Sequence, residues 1–160
     1  MERRFYMLLY RTYHAQRSVV RPMGAALGLG TGQPKLMDYL SRYGPRSQKQ
    51  LADYFEIDPS AVCRMLDALE KGGFVTRSVD QNDRRTGVVS LTEKGSRAAT
   101  AWQQAADTVE QQMLAGFTEK EKTQFAEYFR RAYRNLKPDG AFGMQPGEAV
   151  PEPEQQREKE

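Results

Sequence analysis

The stretch that most constrains this chain is SQKQLADYFEIDPSAVCRMLDALEKGGF, from Ser47 to Phe74. Ser47 stands three residues before Gln50, the spacing at which a hydroxyl and a side-chain amide reciprocally satisfy backbone N–H groups at a helix start. Leu51, Ala52 and Phe55 follow as an apolar stripe for a helix of about two turns. Ile57 and Asp58 make a turn. Asp58 suits an N-cap, and Pro59 suits the first helical position, where a missing N–H costs nothing. A second helix over 59–71 is predicted to bury Val62, Leu66 and Leu69, with Met65 beside them, and Gly72–Gly73 ends it. Two short helices joined by so tight a turn form a helix-turn-helix.

Two short β-prone runs come next, Phe74–Val79 and Val88–Leu91, with DQNDRRTG between them. A hairpin placed directly after a helix-turn-helix is a wing. Long helices flank this lobe. Phe5, Leu8, Leu9, Tyr13, Val19, Val20 and Met23 recur at helical spacing over 2–23, and Pro22 with GAALGLGTG is expected to end that helix. Leu36, Met37 and Leu40 face inward from a helix over Gln33–Tyr43, and GPR at 44–46 breaks the chain. Thr92 caps a long helix striped by Ala98, Trp102, Ala105, Ala106, Val109 and Met113. Gly116 interrupts it. Thr118 and Glu121 start the last helix, along which Phe125, Phe129, Ala132 and Leu136 recur. The Pro-, Gly- and Glu-rich residues 138–160 are predicted to be a disordered acidic tail. The expected fold is mainly α, with a small β-hairpin wing.

Charge divides unevenly along the chain. Residues 1–137 hold 22 basic and 15 acidic side chains, whereas 138–160 hold two and six. A basic body attracts polyanions, but this magnitude does not by itself select nucleic acid. No run approaches the ~20 apolar residues of a membrane span. The start, MERRFYMLLYRTYHAQ, is interrupted by polar residues and lacks a small-residue cleavage site, so neither a signal peptide nor a membrane partner is expected. Cys63 is the only cysteine, which excludes an internal disulfide and a cysteine-based zinc site. These features fit a reducing, cytoplasmic compartment. GLGTG at 28–32 follows a helix where a dinucleotide loop would follow a strand. With no nucleophile–base pair or metal-ligand cluster in the sequence, neither an enzyme nor a cofactor is expected.

The order helix, helix, helix-turn-helix, wing, long helix, long helix resembles the MarR family of bacterial transcription regulators. The matching residues are Leu51-Ala52, DPSAVCRMLDALEKGGFVTR at 58–77 and DQNDRRTGVVSLTEKG at 80–95. Asp83-Arg84-Arg85 and Leu-Thr-Glu-Lys-Gly at 91–95 carry the resemblance most specifically, and it spans roughly residues 3–137. It implies a family-type domain over 1–137. Within it, 32–97 would be the DNA-binding lobe, and helices in 1–24 and 98–137 would interlock two subunits. The implied activity is repression by a homodimer on a pseudo-palindromic double-stranded operator, released by a small aromatic or phenolic effector. A winged-helix protein-interaction or assembly module without sequence-specific DNA binding also fits this fold.

Under the first reading, 59–71 is the recognition helix, with Pro59, Ser60, Ala61 and Arg64 at its exposed start. Arg64 suits guanine O6 and N7, and Ala61 suits a thymine methyl. The competing role for Arg64 is a surface ion pair with Asp67 or Glu70. Ser47, Gln48 and Lys49 are candidates for DNA-backbone contacts, and Ser47 is equally fitted to capping. The resemblance assigns Arg84 to the minor groove and pairs Arg85 with Asp83 or another acid to hold the wing's shape. Arg77, at the wing's base, is expected to reach a phosphate. Tyr6, Tyr10, Tyr13, His14, Met37, Tyr43 and Trp102 are candidates to line an effector pocket, against ordinary packing for each. Cys63 is read as structural.

Overall fold

A computed structural model describes residues 4–79 and 87–137. The elements are α1 (Phe5–Ala26), α2 (Gln33–Tyr43), β1 (Arg46–Ser47), α3 (Gln48–Phe55), α4 (Pro59–Lys71), β2 (Val75–Val79), β3 (Gly87–Leu91), α5 (Glu93–Met113) and α6 (Glu119–Leu136). The chain divides into two compact units, Met1–Met113 and Leu114–Glu160.

In the first unit, α3 and α4 form the helix-turn-helix and β2–β3 the antiparallel base of the wing. Val75 pairs with Leu91 and Val79 with Gly87. The two-residue β1 adds a third strand on the other side of β3, in the order β1-β3-β2, with Arg46 opposite Val89 and Ser47 opposite Val88. The sequence reading treated 44–46 as a break, because so short a strand is defined by its distant partner and not by its own residues. The core gathers Leu36 and Met37 from α2, Leu51 from α3, Val62, Leu66 and Leu69 from α4, and Val75 and Val89 from the sheet, all nearly inaccessible. Each such side chain contributes roughly 1.5–3 kcal/mol by leaving water. Three of them lie on one face of α4, so burial fixes which way that helix turns its other face.

Helix α1 differs from expectation at its C-terminal end. It continues through Pro22 to Ala26. Proline within a helix removes one donor and clashes with the preceding turn, and tertiary contacts offset that cost here. Gly24 is buried close to Pro34 of α2 and the Trp102 ring of α5. Helix α2 and α5 are further joined where Gln103 Nε2 donates to Asp38 Oδ1 at 2.9 Å. By contrast, every residue from Arg4 to Ser18 is exposed in the single chain.

The second unit contains α6. Its start is the capping box read from the sequence: the Thr118 hydroxyl accepts from Glu121 N, and the Glu121 carboxylate accepts from Thr118 N. Phe117, Phe125 and Phe129 stack in sequence along the unit, with ring centroids 5.8 and 4.8 Å apart. None of the α6 residues is fully buried.

Candidate nucleic-acid interface

The solvent face of α4 is built by fastening that helix at its start, flank and end. At the start, Asp58 Oδ1 accepts from Ser60 N (2.9 Å) and Ala61 N (3.1 Å), satisfying two of the donors that a helix N-terminus leaves open. The Ser60 hydroxyl also donates to Asp58. That hydroxyl, then the Ala61 N–H, and more weakly the charge on Arg64, hold the Asp58 carboxyl below the usual carboxylate range. Gln48 Nε2 donates to Pro59 O at 3.2 Å and ties the start of α3 to the start of α4.

Along the flank, Cys63, Asp67 and Glu70 form one stripe of α4 that faces strand β2. Arg77 of β2 lies against it. Its Nη2 sits 2.7 Å from Asp67 Oδ1 and donates to Cys63 O at 3.2 Å. Its backbone N–H donates to Glu70 Oε1 at 3.2 Å, and its Nε lies 3.9 Å from Glu70 Oε2. Cys63 itself is half-buried, with Sγ 3.9 Å from Asp67 Oδ2.

The C-terminal end of α4 is held by the first turn of α5. Lys94 Nζ donates to Gly72 O at 2.7 Å and sits 4.3 Å over the Phe74 ring. The Thr92 hydroxyl donates to Gly73 O at 2.7 Å and accepts from Gly95 N at 3.0 Å. Gly95 allows this approach, since a Cβ there would lie 2.0 Å from Phe74 O.

These fastenings sort the predicted contact residues. Pro59, Ser60 and Arg64 are exposed and Ala61 is half-exposed, together at the start of α4. Asp67 and Glu70 are paired with Arg77, so the ion pair considered for Arg64 is not formed. Among the described residues Arg64 has no salt bridge. Gln48 and Lys49 are accessible at the start of α3, whereas Ser47 is buried and spends its hydroxyl on Gln50 N. Of its two readings, capping is the one formed. Arg77 turns inward to α4, where the sequence reading placed it at a phosphate. Asp83, Arg84 and Arg85 lie outside the described residues, as does the 138–160 segment.

One neighbour of this face escaped the sequence reading. Gly30, Thr31 and Gln33, between α1 and α2, line an open cleft with Ala61, Arg64 and Met65. Gly32 makes the approach possible. It has φ +83°, and a Cβ there would lie 2.8 Å from Met65 Sδ. The glycines at 28, 30 and 32 signalled a tight loop, but nothing local signalled the helix it packs on.

The expected effector pocket is not gathered at one place. Met37 is fully buried in the core, because it shares the inward face of α2 with Leu36 and Leu40; it is corrected from pocket liner to core residue. Tyr43 belongs to an aromatic cluster, 4.8 Å from the Tyr39 ring. Trp102 packs by Gly24. Tyr6, Tyr10, Tyr13 and His14 are exposed on α1, where the Tyr10 and His14 rings lie 4.3 Å apart.

A helix-turn-helix, a wing base on a three-stranded sheet and a solvent-facing helix start define a winged helix-turn-helix protein. The MarR family profile matches residues 32–86. The HTH-type transcriptional regulator YxaD of Bacillus subtilis (strain 168) is 32% identical over 96 residues, which cover 60% of this chain and 67% of that one. YwoH of the same organism is 28% identical over 103 residues, covering 64% and 74%. Among solved structures, a MarR family transcriptional regulator from Listeria monocytogenes complexed with 26mer DNA superimposes with a TM-score of 0.80. The identity is 21%, covering 86% of this chain and 92% of that one. The transcriptional regulator SlyA does so with a TM-score of 0.76 at 25% identity, covering 86% and 96%. The chain belongs to the MarR family.

Proposed function

We propose that this MarR-family regulator binds a pseudo-palindromic double-stranded operator as a homodimer and represses transcription from it. The observation that carries this reading is the face of α4. Val62, Leu66 and Leu69 anchor the helix from behind, Arg77 pairs with both of its acids, and Arg64 is exposed with no salt bridge among the described residues. An exposed planar fork suits guanine O6 and N7 in a major groove. Ser60 and Ala61 share the same helix start, Lys49 is exposed beside it as a candidate for a phosphate, with Gln48 tied to Pro59 O, and Arg84 is assigned to the adjacent minor groove by family resemblance. The L. monocytogenes relative crystallised with DNA adds support from outside the chain.

The dimer reading rests on α1 and α6. Phe5 is 79% exposed, and Leu8 and Leu9 are each more than half exposed. In the other unit, Leu136 is 81% exposed and Phe129 41%. Helices with apolar side chains this accessible at both ends of the described chain fit a subunit interface. A two-fold dimer would set two α4 helices about one DNA turn apart. Sedimentation of the full chain at micromolar concentration should give twice the chain mass, and a stable monomer would refute the dimer.

The deciding experiment is selection of bound fragments from the source genome, followed by sequencing. A palindromic consensus with half-sites about ten base pairs apart supports the proposal. Fragments with no shared motif would favour the interaction-module reading. An aromatic or phenolic effector follows from the family resemblance alone. Trp102 fluorescence offers a direct titration signal for it. Among the described residues no helix is long and apolar enough to cross a membrane, in keeping with a regulator that reaches DNA in the cytoplasm.

A further inference from the structure

We infer that Arg77 is a positioning residue which makes the recognition helix compatible with DNA by partly compensating and bracing its acidic stripe. This rests on the DNA-binding reading above and departs from the simpler idea that Arg77 itself touches a phosphate.

The stripe is the difficulty that Arg77 resolves. Cys63, Asp67 and Glu70 recur at four and three residues, hence on one side of α4. Asp67 and Glu70 keep 57% and 44% of their side-chain surface exposed. Two carboxylates beside Arg64, on a helix that enters a groove lined by phosphates, would oppose binding by like-charge repulsion. Arg77 reaches both from strand β2. Its Nη2 is bonded to Asp67 Oδ1 and to the Cys63 carbonyl, its Nε faces Glu70, and its own backbone N–H donates to Glu70. The Nε is buried without a hydrogen-bond partner among the described residues, so the guanidinium lies pressed on the helix. An arginine extended toward solvent to meet a phosphate would leave that atom accessible. The fork geometry matters as well as the charge, because one side chain must meet a carboxylate, a second carboxylate and a carbonyl at once. Strand β2 continues to Val79, so the same contact joins the wing strand to the flank of α4.

The two roles predict different couplings. If Arg77 contacted a phosphate, Arg77→Ala would cost the same affinity whatever stands at 67 and 70, and the salt slope would fall by about one. If it acts through the helix, the loss depends on the acids it covers. The test is fluorescence anisotropy with a duplex recovered by genomic selection, over a salt titration. It compares the unsubstituted chain, Arg77→Ala, the double variant Asp67→Asn/Glu70→Gln, and the double variant carrying Arg77→Ala in addition. Arg77→Ala should weaken binding about tenfold, most at low salt, where the uncovered acids are least screened. Adding Arg77→Ala to the double variant should change affinity by less than about threefold. The triple variant leaves no unpaired acid, so it reports the coupling even where Arg77→Ala does not fold. An equal loss in both backgrounds overturns the inference while leaving the DNA reading intact. Failure of the unsubstituted protein to bind any recovered duplex overturns the DNA reading itself, and this inference with it.

Discussion

Gly95→Ala sets two physical effects of opposite sign against each other. Gly95 lies in the first turn of α5 with helical backbone, and alanine is a better helix residue by up to about 1 kcal/mol. Propensity alone therefore predicts a more stable protein. The contact geometry predicts the reverse. The added Cβ would stand 2.0 Å from Phe74 O, 3.0 Å from Phe74 C and 3.1 Å from Leu91 Cδ2. The Phe74 carbonyl cannot withdraw cheaply: it accepts from Thr92 N at 3.0 Å, and Phe74 N is bonded to Leu69 O at 2.9 Å. The first turn of α5 must move instead, by roughly 1 Å, to reach an ordinary carbon–oxygen contact. That displacement loosens the Thr92 hydroxyl from Gly73 O and the Lys94 ammonium from Gly72 O. Overpacking of this kind costs about 1–3 kcal/mol, and each weakened hydrogen bond about 0.5–1.5 kcal/mol. After subtracting the propensity gain, the expected net loss is about 2–4 kcal/mol. Urea unfolding followed by far-UV circular dichroism measures it, at one fixed protein concentration because a dimer's stability depends on concentration. The midpoint should fall by about 1–2 M. A midpoint that holds or rises would mean that the close packing of α5 on Phe74 does not govern this junction.

Three further outcomes test other parts of the site. Arg64→Ala should relax sequence preference at one position of the operator half-site more than it lowers non-specific binding, and an unchanged selected consensus refutes a base contact. Arg84→Ala, assigned by family resemblance, should lower the salt slope of binding by about one with unchanged urea stability; an unaltered slope removes it from the DNA contacts. Hydrogen bonds to the Ser60 hydroxyl and the Ala61 N–H lower the Asp58 carboxyl from its ordinary value. A carboxyl whose folded value is depressed contributes stability that is fully present above its unfolded value, near 3.9, and is lost as pH falls through the folded one. Asp58→Asn should thus flatten the acid limb of stability below about pH 4 and leave its slope at neutral pH unaltered, read from urea midpoints across pH.

What could be read from the sequence was local. Ser47 with Gln50 and Thr118 with Glu121 announce helix starts because capping needs residues only three apart, and both boxes are formed. Val62, Leu66 and Leu69 announce a buried face because helical period alone groups them. What could not be read depends on distant partners. Strand β1 exists because Arg46 and Ser47 meet Val89 and Val88. Helix α1 passes Pro22 because Gly24 docks near Pro34 and Trp102, and a window around Pro22 contains neither.

The same division explains why the sequence located helix α4 but misread its surroundings. Arg64, Asp67, Glu70 and Arg77 are four charges within fourteen residues, and composition allows several pairings among them. The pairing is decided by where β2 runs. Its register with β3 sets Arg77 opposite Val89, a core residue, while contacts from β2 to the flank of α4 give the guanidinium two carboxylates and a carbonyl in one place. Arg64, a turn nearer the helix start, is out of that cluster and beside the Gly30–Gln33 loop. Its lack of a salt bridge among the described residues therefore follows from the pairing of Asp67 and Glu70 with Arg77, and not from composition. On the proposed reading, replacing Arg64 alone removes one base contact. Replacing Arg77 changes what the whole face of α4 presents, which is why the two arginines, equivalent in a count of charge, should fail in different assays.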